Sequence, residues 1–215
     1  MTLPAASCPT EAAPYGLRDL MDIAPPGYRV GPRALASIDV AVLHQTGFVW
    51  RRDNPMWAKV RAHFVIHRDG LIDALTPVAT RMRYGSGHVN RHCVSIEHEG
   101  NYPQAYDAAG KPTYYKPAKF GRHVLDDAPA QIQASRALLR HLRTSLPALR
   151  FVAAHRHIER GKPGCPGPDL WREIGQWSIR ELGLEEFPVD GGRPLLPTWR
   201  GEPRIAINPA APLAA

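Results

Sequence analysis

Cysteine is scarce in this chain of 215 residues: Cys8, Cys93 and Cys165 are the three it has. An odd, sparse count does not make a disulfide framework; it suits a reducing compartment, or thiols kept for other chemistry. Long apolar runs are lacking too, and none is long enough to span a bilayer. The start, Met1 to Pro9, has neither a basic stretch nor a continuous apolar core. No signal peptide is expected there, and a cytoplasmic location is, with release or export by another system left open. There is no internal repeat and no run of five or six like charges. Lys and Arg number 27 against 20 Asp and Glu, a net +7 that is scattered along the chain. Scattered charge argues against a nucleic-acid footprint. A basic surface still favours anionic partners, and plain solubility explains it equally well.

What is present is proline, 22 residues of it, which implies many fixed loops. The length suits one domain. The expected division is an N-terminal arm over 1–35, a folded domain over 36–185 and a Pro/Gly-rich tail over 186–215. Within the arm, 17–23 suggests a helical turn or two. Residues 38–44 are β-branched and apolar and read as a buried strand ending at His44. Asn54-Pro55 starts a short helix. His63-Phe-Val-Ile-His67, Arg68-Asp-Gly70 and Leu71-Ile-Asp-Ala-Leu75 read as a hairpin. Residues 94–100 alternate, so Ser95, Glu97 and Glu99 share one face. Residues 101–127 show no clear period and hold four tyrosines; they are either a functional wall or an ordinary surface loop. Residues 128–146 form the strongest helix, with Ile132, Leu138, Leu139 and Leu142 inward and Arg136, Arg140 and Arg143 toward solvent. A last strand from Phe151 and a helix over 168–182 complete the domain.

Ten histidines are available. Most histidines are surface or hydrogen-bonded residues, so His67, His123 and His141 are read that way. Three residues stand above this background. His44 and His155 sit at the ends of apolar strands. Cys165 follows in a loop stiffened by Pro163, Gly164, Pro166, Gly167 and Pro168. Two imidazoles and a thiolate leave one tetrahedral position open, the pattern of a catalytic zinc site. His157 shares a strand face with His155 and is the alternative ligand. A hydrolytic zinc also needs a proton acceptor for its water. Glu97, a carboxylate in a buried strand, is the candidate; Glu99 is more simply a hydrogen-bonded residue near the strand end.

Four segments now occur in a recognisable order: Val42-Leu-His44-Gln-Thr, Ala62-His63-Phe-Val-Ile-His-Arg-Asp-Gly70, Ser95-Ile-Glu97-His-Glu-Gly100, and Ala154-His155 through Cys165-Pro-Gly-Pro168. Together they resemble the zinc-dependent N-acetylmuramoyl-L-alanine amidases of the type 2 amidase and peptidoglycan-recognition-protein superfamily. The resemblance covers roughly 36–182. It implies an α/β fold: a central mixed β-sheet flanked by helices, with a zinc cleft at one face. It implies His44, His155 and Cys165 as zinc ligands and Glu97 as the catalytic carboxylate, with His63 in a supporting role. Two departures stand out. The lysine the family often has two residues before the third ligand is Pro163 here, with Lys162 one position away. The usual Trp-His-Ala-Gly is replaced by Tyr84-Gly-Ser-Gly-His88, where His88 is the histidine available to take that place.

The implied activity is hydrolysis of the amide between N-acetylmuramic acid and L-alanine, in peptidoglycan or its fragments, with Lys162 steadying the oxyanion; a monomer is expected. The competing expectation is a recognition domain that holds peptidoglycan without cutting it. Such members typically lack the third ligand, which Cys165 supplies. Another zinc hydrolase is a weaker alternative, since no His-Glu-x-x-His segment is present.

Overall fold

A computed structural model describes residues 16–82 and 85–203; Cys8, Tyr84 and the outer ends of the expected arm and tail lie outside the described residues. The strands are β1 (Leu17–Asp19), β2 (Arg29–Pro32), β3 (Val40–Gln45), β4 (Phe64–Ile66), β5 (Ile72–Ala74), β6 (Thr80–Met82), β7 (Cys93–His98), β8 (Pro103–Tyr106), β9 (Pro112–Tyr114), β10 (Phe151–Ala154) and β11 (Glu185–Glu186). The α-helices are α1 (Pro129–Ser145), α2 (His155–Ile158), α3 (Pro168–Leu170) and α4 (Trp177–Leu182), with a π-helical stretch, Trp171–Gln176, joining α3 to α4.

Seven strands form one sheet in the order β1-β5-β4-β7-β3-β10-β11. β4 and β5 pair antiparallel and the other neighbours are parallel, so the sheet is mixed, as the motifs implied. Both faces are covered, which is why the central strands read as nearly continuous apolar runs. Strand alternation divides the faces. Ala41, Leu43, Val94, Ile96, Val152 and Ala154 pack with Ile132, Leu138, Leu139 and Leu142 of α1. Val40, Val42, Cys93 and Ala153 point the other way, against Val89, Ile158 and Phe187. His44, Glu97 and His155 continue that second parity, so all three leave the sheet on the face opposite α1.

Four local expectations are corrected. Leu17–Asp19 is an edge strand, not a helical turn. The open edge of β5 needs backbone partners, and Arg18 adds a two-pronged bond to the buried Asp73 at 2.8 and 2.7 Å. The segment after Asn54 is a 3₁₀ helix, Pro55–Lys59, capped by the Asn54 side chain. Arg136 does not face solvent; it is 2% exposed, because the π-helical stretch covers that side of α1 and Glu173 meets it there. The described residues beyond Pro188, to 203, remain packed: Asp190 and Arg193 donate backbone bonds to His157 and Arg156, and the fully buried Trp199 ring lies 4.9 Å from the Arg156 guanidinium. The long insertion also holds structure. β8 and β9 form a hairpin whose turn is closed by the Asp107 side chain.

Candidate metal centre and cleft

Parallel register builds the floor of the site. His44 is the register partner of Glu97, and Leu43 that of Ala154, so His155 emerges beside His44 where β10 ends. Three chemistry-bearing residues thus stand in a row at the carboxyl ends of β7, β3 and β10, where α/β sheets open a crevice. Cys165 arrives from the loop after α2. Gln45 holds that loop: its side-chain amide donates to Pro166 O at 2.7 Å, and its oxygen accepts from Tyr102 N at 2.8 Å. Gly167 lies at φ 106°, and a Cβ there would come within 2.3 Å of Pro103 O, so only glycine lets the loop close this tightly. From the α1 side, His98 bonds the His44 carbonyl at 2.8 Å and Ser135 at 3.1 Å, anchoring the strand end.

One ligand atom from each of His44, His155 and Cys165 lies within 4.8 Å of the others, and all three residues are buried. The two Nδ1 atoms face each other at 2.9 Å. The outer nitrogen of His44 lies 3.0 Å from Ser86 Oγ, whereas that of His155 makes no hydrogen bond, with Glu159 Oε1 3.4 Å away. Burial, with His155, His98 and Lys162 nearby, holds His44 well below the usual imidazole range, so it is neutral and able to ligate. Burial, aided by Glu97, pushes the Cys165 thiol up. A cation at this point is what would favour the thiolate. The set of two imidazoles and a sulfur fits a borderline-soft divalent ion.

Glu97 lies beside this group. Burial raises its carboxyl to about 8, against the opposing pull of Lys162. Its Oε2 is buried without a hydrogen-bond partner. A cavity of about 410 Å³ opens above, lined by His44, Glu97, His155, Cys165 and Lys162. Phe48, Trp50 and Met56 also line it, as do Tyr115 and Lys116. Phe48 and Trp50 stack with centroids 4.0 Å apart.

The residues singled out in the sequence therefore divide clearly. His44, His155, Cys165, Glu97 and Lys162 come together. His157 does not join them; its ring turns away, accepting from Ala154 N at 3.3 Å and packing on Trp171. His63 is fully buried and bonds Ser95 N at 3.0 Å, steadying β7 two residues before Glu97. His88 stays outside the cleft, paired with Asp190 at 2.7 Å. Glu99 bonds His67 and Arg68 N. Ser86, Glu159 and Tyr115 were not singled out one by one. The one available signal was the tyrosine-rich character of the insertion.

A family model described as N-acetylmuramoyl-L-alanine amidase matches residues 34–168. No curated protein matches the chain. Among solved structures, the N-acetylmuramoyl-L-alanine amidase LysC from Clostridium intestinale superposes with TM-score 0.53 at 16% identity, covering 79% of this chain and 98% of that one. Drosophila PGRP-LB superposes at 0.50 with 14% identity, covering 77% and 94%. Human PGRP-IBETAC, solved in complex with glycosamyl muramyl pentapeptide, superposes at 0.50 with 12% identity, covering 83% and 99%. At these identities the structural likeness establishes the fold, which is that of type 2 amidases. The family model spans well over half of the sequence, and the chain belongs to the N-acetylmuramoyl-L-alanine amidase family that it describes.

Proposed function

We propose that this protein is a zinc-dependent amidase that hydrolyses the bond between N-acetylmuramic acid and L-alanine in peptidoglycan or its soluble fragments. The observation that carries the reading is the convergence of His44, His155 and Cys165 within 4.8 Å, beside a Glu97 oxygen that has no partner. His44, His155 and Cys165 would hold the metal. Zinc, when bound, supplies Lewis acidity toward a carbonyl and lowers the pKa of water. Glu97 takes the proton of the attacking water and returns it to the leaving amine; burial raises its carboxyl, and a cation beside it would favour the carboxylate that accepts the proton. The Lys162 ammonium faces the negative charge that develops on the carbonyl oxygen. Phe48, Trp50, Tyr115 and Lys116, which line the cavity, give the groove that would take the glycan-peptide.

A recognition domain without turnover is the competing reading, favoured by the PGRP folds among the structural neighbours. One set of measurements tests both. The purified protein is expected to carry stoichiometric zinc and to lose it in Cys165→Ser. Glu97→Gln is expected to keep zinc and lose most peptide release, followed by mass, from soluble muropeptides and from intact sacculi. Near-normal release by the Gln variant overturns the role of Glu97. Wild-type protein that binds muropeptide and releases nothing selects the recognition reading.

A further inference from the structure

Lys162 stands three residues before Cys165, on a loop, at the end of a long flexible stem. A lysine ammonium is a point charge that takes its place from its partners. Its Nζ donates to the Tyr115 hydroxyl at 3.4 Å, and both residues line the cavity above the metal-ligating group. Catalytic hydrogen bonds are often long before substrate binds.

Tyr115 itself is held on several sides. Asn101, fully buried, grips the next residue from both ends of its peptide unit: Lys116 N donates to Asn101 Oδ1 at 2.8 Å, and Asn101 Nδ2 donates to Lys116 O at 3.0 Å. The same amide reaches Gly121 O at 2.6 Å, and Tyr115 N donates to Tyr102 O at 3.4 Å. Across the cleft edge, Gly47 lies at φ 76°, where a Cβ would come within 2.9 Å of Tyr115 Cδ1 and 2.6 Å of Lys116 Cγ. The turn that follows His44 is therefore shaped to admit this wall. A phenol that accepts from an ammonium also keeps its own O–H free to donate.

We infer that Tyr115 is a positioning residue: it holds the Lys162 ammonium over the floor formed by His44, Glu97, His155 and Cys165. The part this assigns to Lys162 in the reaction rests on the amidase reading; the contact itself does not. The insertion then does what the spacing of the loop does not, since it supplies from outside the partner that fixes the lysine.

The test compares wild type, Tyr115→Phe, Lys162→Met and the double variant, each as the full chain. Limiting acetylation with an N-hydroxysuccinimide ester, read by peptide mass spectrometry, reports how well each lysine is held. Tyr115→Phe is expected to speed labelling of Lys162 roughly tenfold, as loss of a bond to a charged group implies, while Lys59 and Lys111 keep their rates. On muropeptide, the same variant is expected to lower kcat about tenfold with KM and zinc content unchanged, and to have no further effect once Lys162 is Met. Unchanged labelling of Lys162, or kcat losses that multiply in the double variant, overturns the proposal. The ring is kept in Phe, so the wall keeps its packing, and a urea midpoint equal to that of wild type verifies it. Labelling needs no turnover; wild-type protein that cleaves no muropeptide overturns the amidase reading, while the Lys162 rate still decides the contact.

Discussion

Each of the two facing imidazoles has a polar neighbour at its outward nitrogen, one from a distant segment and one four residues along the chain. Ser86 meets His44, and Glu159 meets His155. Such partners fix which nitrogen is turned inward, and their loss typically costs 10–100-fold in metal affinity. Ser86→Ala is therefore expected to weaken zinc binding at least about tenfold in a chelator competition, with little change in thermal stability; unchanged affinity would remove Ser86 from the site. The ligand candidates and the catalytic acid were legible in the sequence because each sits where local chemistry is unusual: a histidine ending an apolar strand, a cysteine in a Pro-Gly loop, an acid inside a buried strand. Ser86, Glu159 and Tyr115 carry no such mark. Their neighbours are ordinary loop residues; what gives Ser86 and Tyr115 a part is tertiary approach across 42 and 47 positions, while Glu159 lies four residues from His155.

At the scale of elements, the strands around the site and the helix α1 follow from alternation and a 3.6-residue stripe. The covered far side of α1 does not. A stripe shows which face meets the sheet, and it is silent about a second helix lying over the arginines. There Arg136 Nε donates to Glu173 O at 2.8 Å and its Nη2 to Glu173 Oε2 at 3.2 Å, with the guanidinium 5.1 Å from the Trp177 ring. Burial lowers the Arg136 pKa to about 10, yet the group remains charged at neutral pH. Removing one member of a buried pair leaves the other charge uncompensated, typically at 3–5 kcal/mol. Glu173→Ala should cost about 3 kcal/mol in urea unfolding, and Arg136→Met with Glu173→Met together should cost less than that single change. The edge strands escaped the sequence for a related reason. β1, β8, β9 and β11 are two to four residues long, too short for a period, and they exist through the bonds a neighbouring strand offers.

Across the whole molecule, buried histidines set opposing dependences on pH. His63, His98 and His157 are lowered by burial to about 3, 4 and 4, with Arg33 adding to the first and Arg156 to the last. The unfolded chain binds their protons from about 6.5 downward, so stability falls as pH drops below that value. His67 behaves in the opposite way. Burial alone would lower it, but hydrogen bonds and charge from Asp73 and Glu99 prevail and raise it to about 9. Asp73 is shared with Arg18, so this cluster ties the edge strand β1 to β5 and to the end of β7. The Trp57 ring closes it off, 4.6 Å from His67. A histidine raised in the folded state contributes fully below about 6.5 and loses that contribution as pH rises through 9. Glu97, which burial raises to about 8, costs stability from about 4.5 to 8 by the same rule, so the His67 share is read in a Glu97→Gln background, where the urea midpoint should decline on both sides of about pH 6.5. There the alkaline decline should be on the order of 2 kcal/mol and should flatten when His67→Gln is added, a variant less stable at pH 6.5. An alkaline slope that survives the substitution would place its origin outside the His67 cluster.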